Sequence, residues 1–64
     1  MFKVTHRGNA MEFGRREKAM LLVRKLGNKY PREVISLESN MEVEKFTYIN
    51  GKVDQYQYNP KTTD

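Results

Sequence analysis

Few side chains in this sequence are of types that catalyse reactions, and none stands in the pattern of a catalytic site. His6 is the one histidine, and its candidate roles are general base and pH sensor. We expect it instead to end a strand beside a turn. Ser36 and Ser39 lack the glycine-flanked context of a nucleophilic serine. There is no cysteine, so neither a thiolate nucleophile nor a disulfide is available.

Four glutamates fall close together in the second half of the chain, at Glu33, Glu38, Glu42 and Glu44. Such carboxylates can form an acid/base pair or bind magnesium. Charged residues on strands are more often solvated, and we expect that of all four. The sequence has no phosphate-binding loop, dinucleotide fingerprint or calcium-binding loop. We therefore expect no metal, no cofactor and no enzymatic activity.

Positive charge is concentrated in the first half of the chain. Residues 1–32 hold nine Lys/Arg and two Glu, a net charge of +7, whereas residues 33–64 have a net charge of −3. Such an imbalance favours contact with an anionic partner or with a second copy of the chain. The candidate electrostatic or nucleic-acid contacts are Arg7, Arg15, Arg16, Lys18, Arg24, Lys25 and Lys29.

The element that must position most of these cations is a predicted helix over residues 15–27. Apolar residues recur with a 3.6-residue period and form one stripe, made of Ala19, Leu22, Val23 and Leu26. Gly27 followed by Asn28 predicts the end of the helix. Met20 and Leu21 miss the stripe, which makes them candidate anchors for a partner.

The rest of the chain predicts strands. Alternating residues predict a hairpin over 2–13 with a turn at 7–10. Further strands are predicted over 33–38, 41–49 and 52–58. Asn50-Gly51 between the last two is typical of a two-residue type I′ turn.

Continued without interruption, the register of that hairpin pairs Phe46 with Gln55. Phe46, Tyr48 and Val53 then share one face, and the other face carries Val43, Ile49, Tyr56 and Tyr58. Because one helix can cover only one face of a small sheet, we expect a tyrosine-rich apolar face to stay uncovered. Such a face is a candidate interface with a partner or a second copy.

The predicted fold is α+β, with a small antiparallel sheet in ββαβββ order and one amphipathic helix packed on one face. A single domain is expected over residues 1–58, followed by a flexible tail over 59–64. No apolar run is long enough to span a membrane and no signal peptide is evident, so we expect a cytoplasmic protein.

Three segments also resemble a class of known sequences. The runs FKVTHRGN, EFGRREKAMLLVRKLG and EVISLE, within residues 2–38, are similar to very short uncharacterised proteins of Gram-positive bacteria and their phages. The shared features are structural, so the resemblance transfers no site residues. It implies a phage-type or mobile-element regulator that docks onto a host protein.

These observations favour a non-enzymatic regulatory protein that modulates or inhibits another protein by direct contact. The predicted contact residues are Met20, Leu21, Tyr48, Tyr56 and Tyr58. Nucleic-acid binding by the basic helix face and the strand aromatics is the alternative. Against it, the aromatics lie in the acidic half, and the chain lacks the glycine-containing motif of RNA-binding sheets and the second helix of a helix-turn-helix. A homodimer without any other partner is a third candidate.

Overall fold

The computed structural model describes residues 1–61 and confirms the α+β fold in ββαβββ order. The elements are β1 (Phe2–His6), β2 (Asn9–Phe13), α1 (Arg16–Lys29), β3 (Ile35–Glu38), β4 (Glu42–Ile49) and β5 (Lys52–Pro60). The five strands form one antiparallel sheet in the order β2-β1-β3-β4-β5. β2 and β5 are therefore its two edges.

The helix α1 packs across one face of this sheet, as predicted. Residues that lie opposite each other on neighbouring strands share a face, so the pairing register defines rows of side chains across the sheet. Two rows face the helix and contain Val4–Leu37–Glu44–Tyr58 and Ile35–Phe46–Tyr56. The other face is mostly polar, with a row made of Thr5, Ser36, Lys45 and Gln57.

The core lies between α1 and the central strands. Its fully buried apolar members are Val4, Ala19, Val23, Ile35, Leu37, Phe46 and Tyr48. Phe2, Phe13, Met20, Leu22 and Leu26 are half-buried around them. Met20 therefore packs at the margin of the core, next to the predicted helical stripe, and Leu22 and Leu26 of that stripe are only half-buried.

The predicted end of the helix at Gly27 is wrong, because α1 continues to Lys29. Gly27 is buried in the interface between the helix and β4, directly over the ring of Tyr48. A Cβ atom at position 27 would overlap two atoms of that ring. The glycine thus permits close packing of helix and sheet. In the sequence alone, a glycine with this role cannot be distinguished from one that ends a helix.

The predicted register of the last hairpin is also wrong beyond Tyr48. Asn50 and Gly51 both have positive φ, as a type I′ turn requires, and Tyr48 does pair with Val53. The next pair is Thr47 with Gln55, so a β-bulge leaves Asp54 without an opposite residue in β4. The Gln55 N–H donates to the Thr47 Oγ1 at 3.0 Å.

This bulge moves every later side chain of β5 to the opposite face. Phe46 pairs with Tyr56 and Glu44 pairs with Tyr58, which places both tyrosines on the helix side. The expectation of a tyrosine-rich face away from the helix is therefore wrong. Val43 and Ile49 are the apolar residues that remain on that face of the hairpin, and both are half-buried.

Strand β5 also runs two residues beyond its predicted end. Asn59 and Pro60 belong to it, and the Lys61 N–H donates to the Met41 carbonyl at 2.9 Å. The Lys61 Nζ lies 2.6 Å from the Glu38 Oε2. Residues 62–64 of the predicted tail lie outside the described residues.

The contact between Gly27 and Tyr48 gives a test of the packing. Gly27→Ala introduces a methyl group into the ring of Tyr48 and should lower the free energy of unfolding by about 1–3 kcal/mol. Alanine favours a helix interior by about 1 kcal/mol over glycine, so helix propensity alone predicts the opposite sign. Urea unfolding measures the difference. Gly14→Ala is the matched control, because a Cβ there meets no atom within 4 Å. A gain in stability for Gly27→Ala would contradict the packing.

Candidate functional site

Helix α1 leaves one flank of the sheet uncovered. It packs on β1, β2, β3 and β4, and within residues 1–61 no α-carbon of the helix lies within 8 Å of an α-carbon of β5. The helix-side residues of β5 are accordingly half-exposed, at 48% for Val53, 52% for Tyr56 and 50% for Tyr58. Three large side chains in a row on a water-exposed strand form the main apolar surface of the hairpin.

One row of helix side chains borders these residues. Arg16, Met20 and Arg24 are spaced four apart and therefore lie on one side of α1. Arg16 reaches Glu44 of β4, which shows that this side of the helix faces β4 and β5. We call the surface formed by this row and the exposed side chains of β5 the open flank, which consists of Arg16, Met20, Arg24, Val53, Tyr56 and Tyr58.

The base of the open flank is a buried carboxylate, Glu44, which is 3% exposed. Two Arg16 N–H···O contacts, at 3.0 and 2.7 Å, reach its two oxygens, and the Tyr56 hydroxyl donates to it at 3.1 Å. The expectation that Glu44 is solvated surface is wrong, because β4 is an interior strand and its helix side is covered. A buried carboxylate with both oxygens satisfied by a guanidinium is a structural ion pair.

The tyrosines of the open flank are held neutral. Partial burial, together with the hydrogen bond to Glu44, raises the pKa of Tyr56. The Glu42 carboxylate beside Tyr58 raises the pKa of that phenol, with some burial adding to the effect. The Glu44 carboxylate likewise raises the pKa of the Arg16 guanidinium, which stays charged. Tyr56 also packs on Phe46, with ring centroids 5.1 Å apart.

A shallow depression on the outer surface of α1 adjoins the open flank. Its lining residues are Arg15, Glu17, Lys18, Met20, Leu21 and Arg24. Leu21 is 52% exposed among these charges, as its position on the helical wheel predicts. Arg15 lies 3.7 Å from Glu17, and both side chains are more than 70% exposed, so this ion pair is weak.

The structure thus brings together two groups of predicted contact residues. Met20, Leu21, Tyr56 and Tyr58 lie close to the cations Arg15, Arg16, Lys18 and Arg24 on one side of the molecule. Tyr48 does not belong with them. It is 4% exposed beneath Gly27, so its prediction as a partner contact is wrong.

Arg7 also lies apart, in a cluster at the other end of the helix. Its guanidinium donates to both oxygens of Glu33, at 2.7 and 2.5 Å, and stands 4.5 Å from the centre of the Tyr30 ring. Hydrogen bonding to Arg7 lowers the pKa of Glu33, and a contact with His6 acts in the same direction. Lys29 lies 5.4 Å from the same tyrosine ring, and Lys25 is exposed on α1.

His6 completes this second cluster. It ends β1, as predicted, and is 7% exposed. Its Nε2 lies 2.8 Å from the Glu33 Oε1, and its ring stacks on Tyr30 at 4.7 Å. The cluster ties the β1–β2 turn to the segment between α1 and β3. Within residues 1–61, no buried side-chain nitrogen or oxygen atom lacks a hydrogen-bond partner, which includes those of this cluster.

Sequence reasoning missed two members of the site. Val53 shares a face with Phe46 and Tyr48, as predicted, but it is half-exposed because the helix does not extend over β5. Glu44 is buried because β4 is an interior strand. Neither the position of the helix nor the order of the strands has a local sequence pattern.

Within residues 1–61, no three His, Cys, Asp or Glu side chains are grouped so that they could hold a metal ion. No helix in this range combines the length and the apolar character needed to cross a bilayer.

Comparisons with protein-family models, with curated proteins and with solved structures find no match to this chain. The functional argument therefore rests on the geometry of its own residues.

The ion pair beneath Tyr56 gives a test of how the open flank is built. Arg16→Met keeps most of the side-chain length but leaves the buried Glu44 carboxylate without its cation. We expect a loss of about 1–3 kcal/mol in the free energy of unfolding. Arg24→Met, on the same row of the helix, is the control and should change it by less than about 0.5 kcal/mol.

Adding Glu44→Gln to Arg16→Met removes the unpaired charge and should recover part of the loss, as urea unfolding would show. Equal effects of the two arginine variants would contradict the structural role assigned to Arg16.

Proposed function

We propose that this chain is a non-enzymatic binding protein that acts by direct contact with another protein, through the open flank and Leu21. The observation that carries the proposal is the exposure of Val53, Tyr56 and Tyr58 at about half of their surface, on a strand that the only helix of residues 1–61 does not cover. Tyrosine and arginine beside apolar side chains is the composition that dominates binding energy at protein interfaces.

The surrounding charges indicate what the partner surface looks like. Arg24 and Lys18 border the depression around Met20 and Leu21, and both are exposed. A partner that presents acidic residues around one or two apolar side chains would complement this arrangement. Such cations speed diffusional encounter, while the tyrosines and Leu21 supply the buried contacts.

The acidic groups beneath the tyrosines favour a protein over a nucleic acid. The hydroxyls of Tyr56 and Tyr58 lie against Glu44 and Glu42 respectively. These carboxylates offset the charge of Arg16 and repel a phosphate backbone that follows the tyrosine row. Nucleic-acid binding stays the second candidate, because the bulge places Tyr56 and Tyr58 beside Arg16 on one surface, as single-strand binders place aromatics and cations.

The resemblance of residues 2–38 to short proteins of Gram-positive bacteria and their phages suits this proposal. In that setting, the partner would be a host protein that the chain modulates or inhibits. The cytoplasm is the compartment in which such a contact would take place.

Site-specific photo-cross-linking tests the proposal. A photoreactive amino acid in place of Leu21 should form an adduct with one protein in cells that express the chain. The same group at Ala10, exposed on the far edge strand β2, is the matched control and should form none. Replacing both Tyr56 and Tyr58 by serine should reduce the Leu21 adduct by about tenfold or more, since each aromatic anchor contributes on the order of 1–2 kcal/mol.

Two outcomes would contradict the proposal. Adducts of the same yield from positions 21 and 10 would mean that the open flank has no special affinity. An adduct at position 21 that nuclease digests and protease leaves intact would support the nucleic-acid candidate instead.

A further inference from the structure

Strand β5 presents an unpaired backbone edge whose direction can be read from one hydrogen bond. The Lys61 N–H donates to Met41 at the end of the β4–β5 ladder. Alternate residues of an antiparallel strand direct their backbone groups to the same side. Asn59 and Gln57 therefore bond to β4, whereas Tyr56 and Tyr58 direct their N–H and C=O groups outward.

Pro60 agrees with this assignment. It lies in an outward position, where a residue without an N–H group removes no bond from the β4–β5 ladder. Within residues 1–61, the outward N–H donors beyond the bulge are therefore those of Tyr56 and Tyr58.

Between the bulge at Asp54 and Pro60, the side chains of this edge carry no charge that would oppose pairing. Exposed edge strands commonly carry charged residues, above all lysine, that prevent another strand from pairing with them. The segment from Gln55 to Pro60 carries no charge, and all nine residues of β5 are exposed. Its sequence, QYQYNP, also alternates tyrosine with amide side chains.

We propose that a second copy of this chain pairs antiparallel with β5, with Gln57 of each copy opposite the other on a two-fold axis. Tyr56 then lies opposite Tyr58 of the second copy, and the two exchange both backbone hydrogen bonds. The symmetry-related pair, Tyr58 opposite Tyr56 of the second copy, exchanges two more. The interface thus contains four backbone hydrogen bonds and uses every outward N–H between Gln55 and Pro60. On the polar face, Gln55 lies opposite Asn59 of the second copy.

In each neighbouring register, one outward tyrosine lies opposite a residue that cannot exchange both hydrogen bonds with it. With Tyr58 opposite itself, Tyr56 faces Pro60, which has no N–H to donate. With Tyr56 opposite itself, Tyr58 faces Asp54, the bulged residue. The register centred on Gln57 is also the one that pairs tyrosine with tyrosine and amide with amide, so it is self-complementary on both faces, as a two-fold interface requires.

The pairing of two copies deepens the proposed function, and what it means for binding another protein rests on that proposed function. Pairing through β5 makes one ten-stranded sheet with both helices on the same side, so the two open flanks meet. α1 contacts β1, β2, β3 and β4, most of all β1, β3 and β4, so it is centred near β3. The two helix axes would lie roughly 24 Å apart, five strand spacings of about 4.8 Å. With helices about 10 Å across, a cleft roughly 14 Å wide remains.

The floor of that cleft would consist of Tyr56 and Tyr58 from both copies, and Arg16, Met20 and Arg24 of each copy would line its walls. Neither copy forms it alone. Its width suits one helix or one extended segment of the acidic partner.

Charge substitutions at Gln55 and Asn59, which lie opposite each other across the proposed interface, test the register centred on Gln57. Gln55→Lys with Asn59→Lys places like charges opposite one another twice in the dimer, and Gln55→Glu with Asn59→Glu does the same with the opposite sign. Both double variants should be monomeric. Gln55→Lys with Asn59→Glu places opposite charges across the interface twice and should dimerise at least as tightly as the natural chain.

Sedimentation equilibrium measures the association, and circular dichroism confirms that each variant is folded. Because one strand edge is smaller than a standard interface of about 1,600 Å², we expect a reversible dimer that dissociates on dilution. The double glutamate variant lowers the net positive charge of the chain, so its loss of association would show local repulsion rather than a general charge effect.

A natural chain that stays monomeric up to about 1 mM, a concentration at which even weak specific pairs associate, would overturn the inference. So would association that is equal in all three double variants. Failure here is separable from failure of the proposed function. A chain that is monomeric but still cross-links to one protein through Leu21 would refute only the pairing of two copies. A dimer that forms no such adduct would refute only the contact with another protein.

Discussion

One extra residue in β5 is the constraint on which the rest of the structure depends. The Asn50-Gly51 turn pairs Tyr48 with Val53, and side chains alternate between the faces from that point. Without the bulge at Asp54, the two tyrosines of β5 would lie on the polar face beside Lys45. With it, they lie over Phe46 and Glu44, on the side where the helix supplies cations. The bulge therefore creates the open flank.

Glu44 converts this placement into a fixed arrangement. A buried carboxylate is costly unless it is paired and hydrogen-bonded, and here the partners come from two other elements. Arg16 belongs to α1 and Tyr56 to β5, so one carboxylate holds the helix, the interior strand and the edge strand in register with each other. The contact surface above it is thus pre-formed, which lowers the entropy lost when a partner binds.

The patterns in the sequence correctly predict the features of the fold that interactions between neighbouring residues determine. Alternation, the 3.6-residue period and the Asn-Gly turn give the order of all six elements, and the exposure of Leu21 follows from the helical wheel. The errors have causes that lie outside the local sequence. Gly27 is a packing contact with a ring 21 residues further along the chain, and Tyr48 is buried by that same contact. Glu44 is buried because β4 lies inside the sheet.

The sequence predicted most residues of the candidate site but not how they come together. Tyr56, Tyr58, Met20 and Leu21 were chosen by type and exposure, yet the sequence assigned the tyrosines and the cations to different faces. A bulge reverses that assignment at the cost of one unpaired residue, and the stabilising contacts of the shifted register form only in the complete sheet. The second cluster, of Arg7 with Glu33, likewise depends on two segments 26 residues apart.

The pairing of β4 with β5 is the central claim, and proton NMR tests it directly. In an antiparallel ladder, the pairs without hydrogen bonds bring their α-protons close together, with Cα atoms about 4.5 Å apart. The bulged register predicts strong Hα–Hα Overhauser effects between Phe46 and Tyr56 and between Glu44 and Tyr58. Effects between Phe46 and Gln55 and between Glu44 and Gln57 would instead show an uninterrupted ladder. That result would place the tyrosines on the polar face and contradict the open flank.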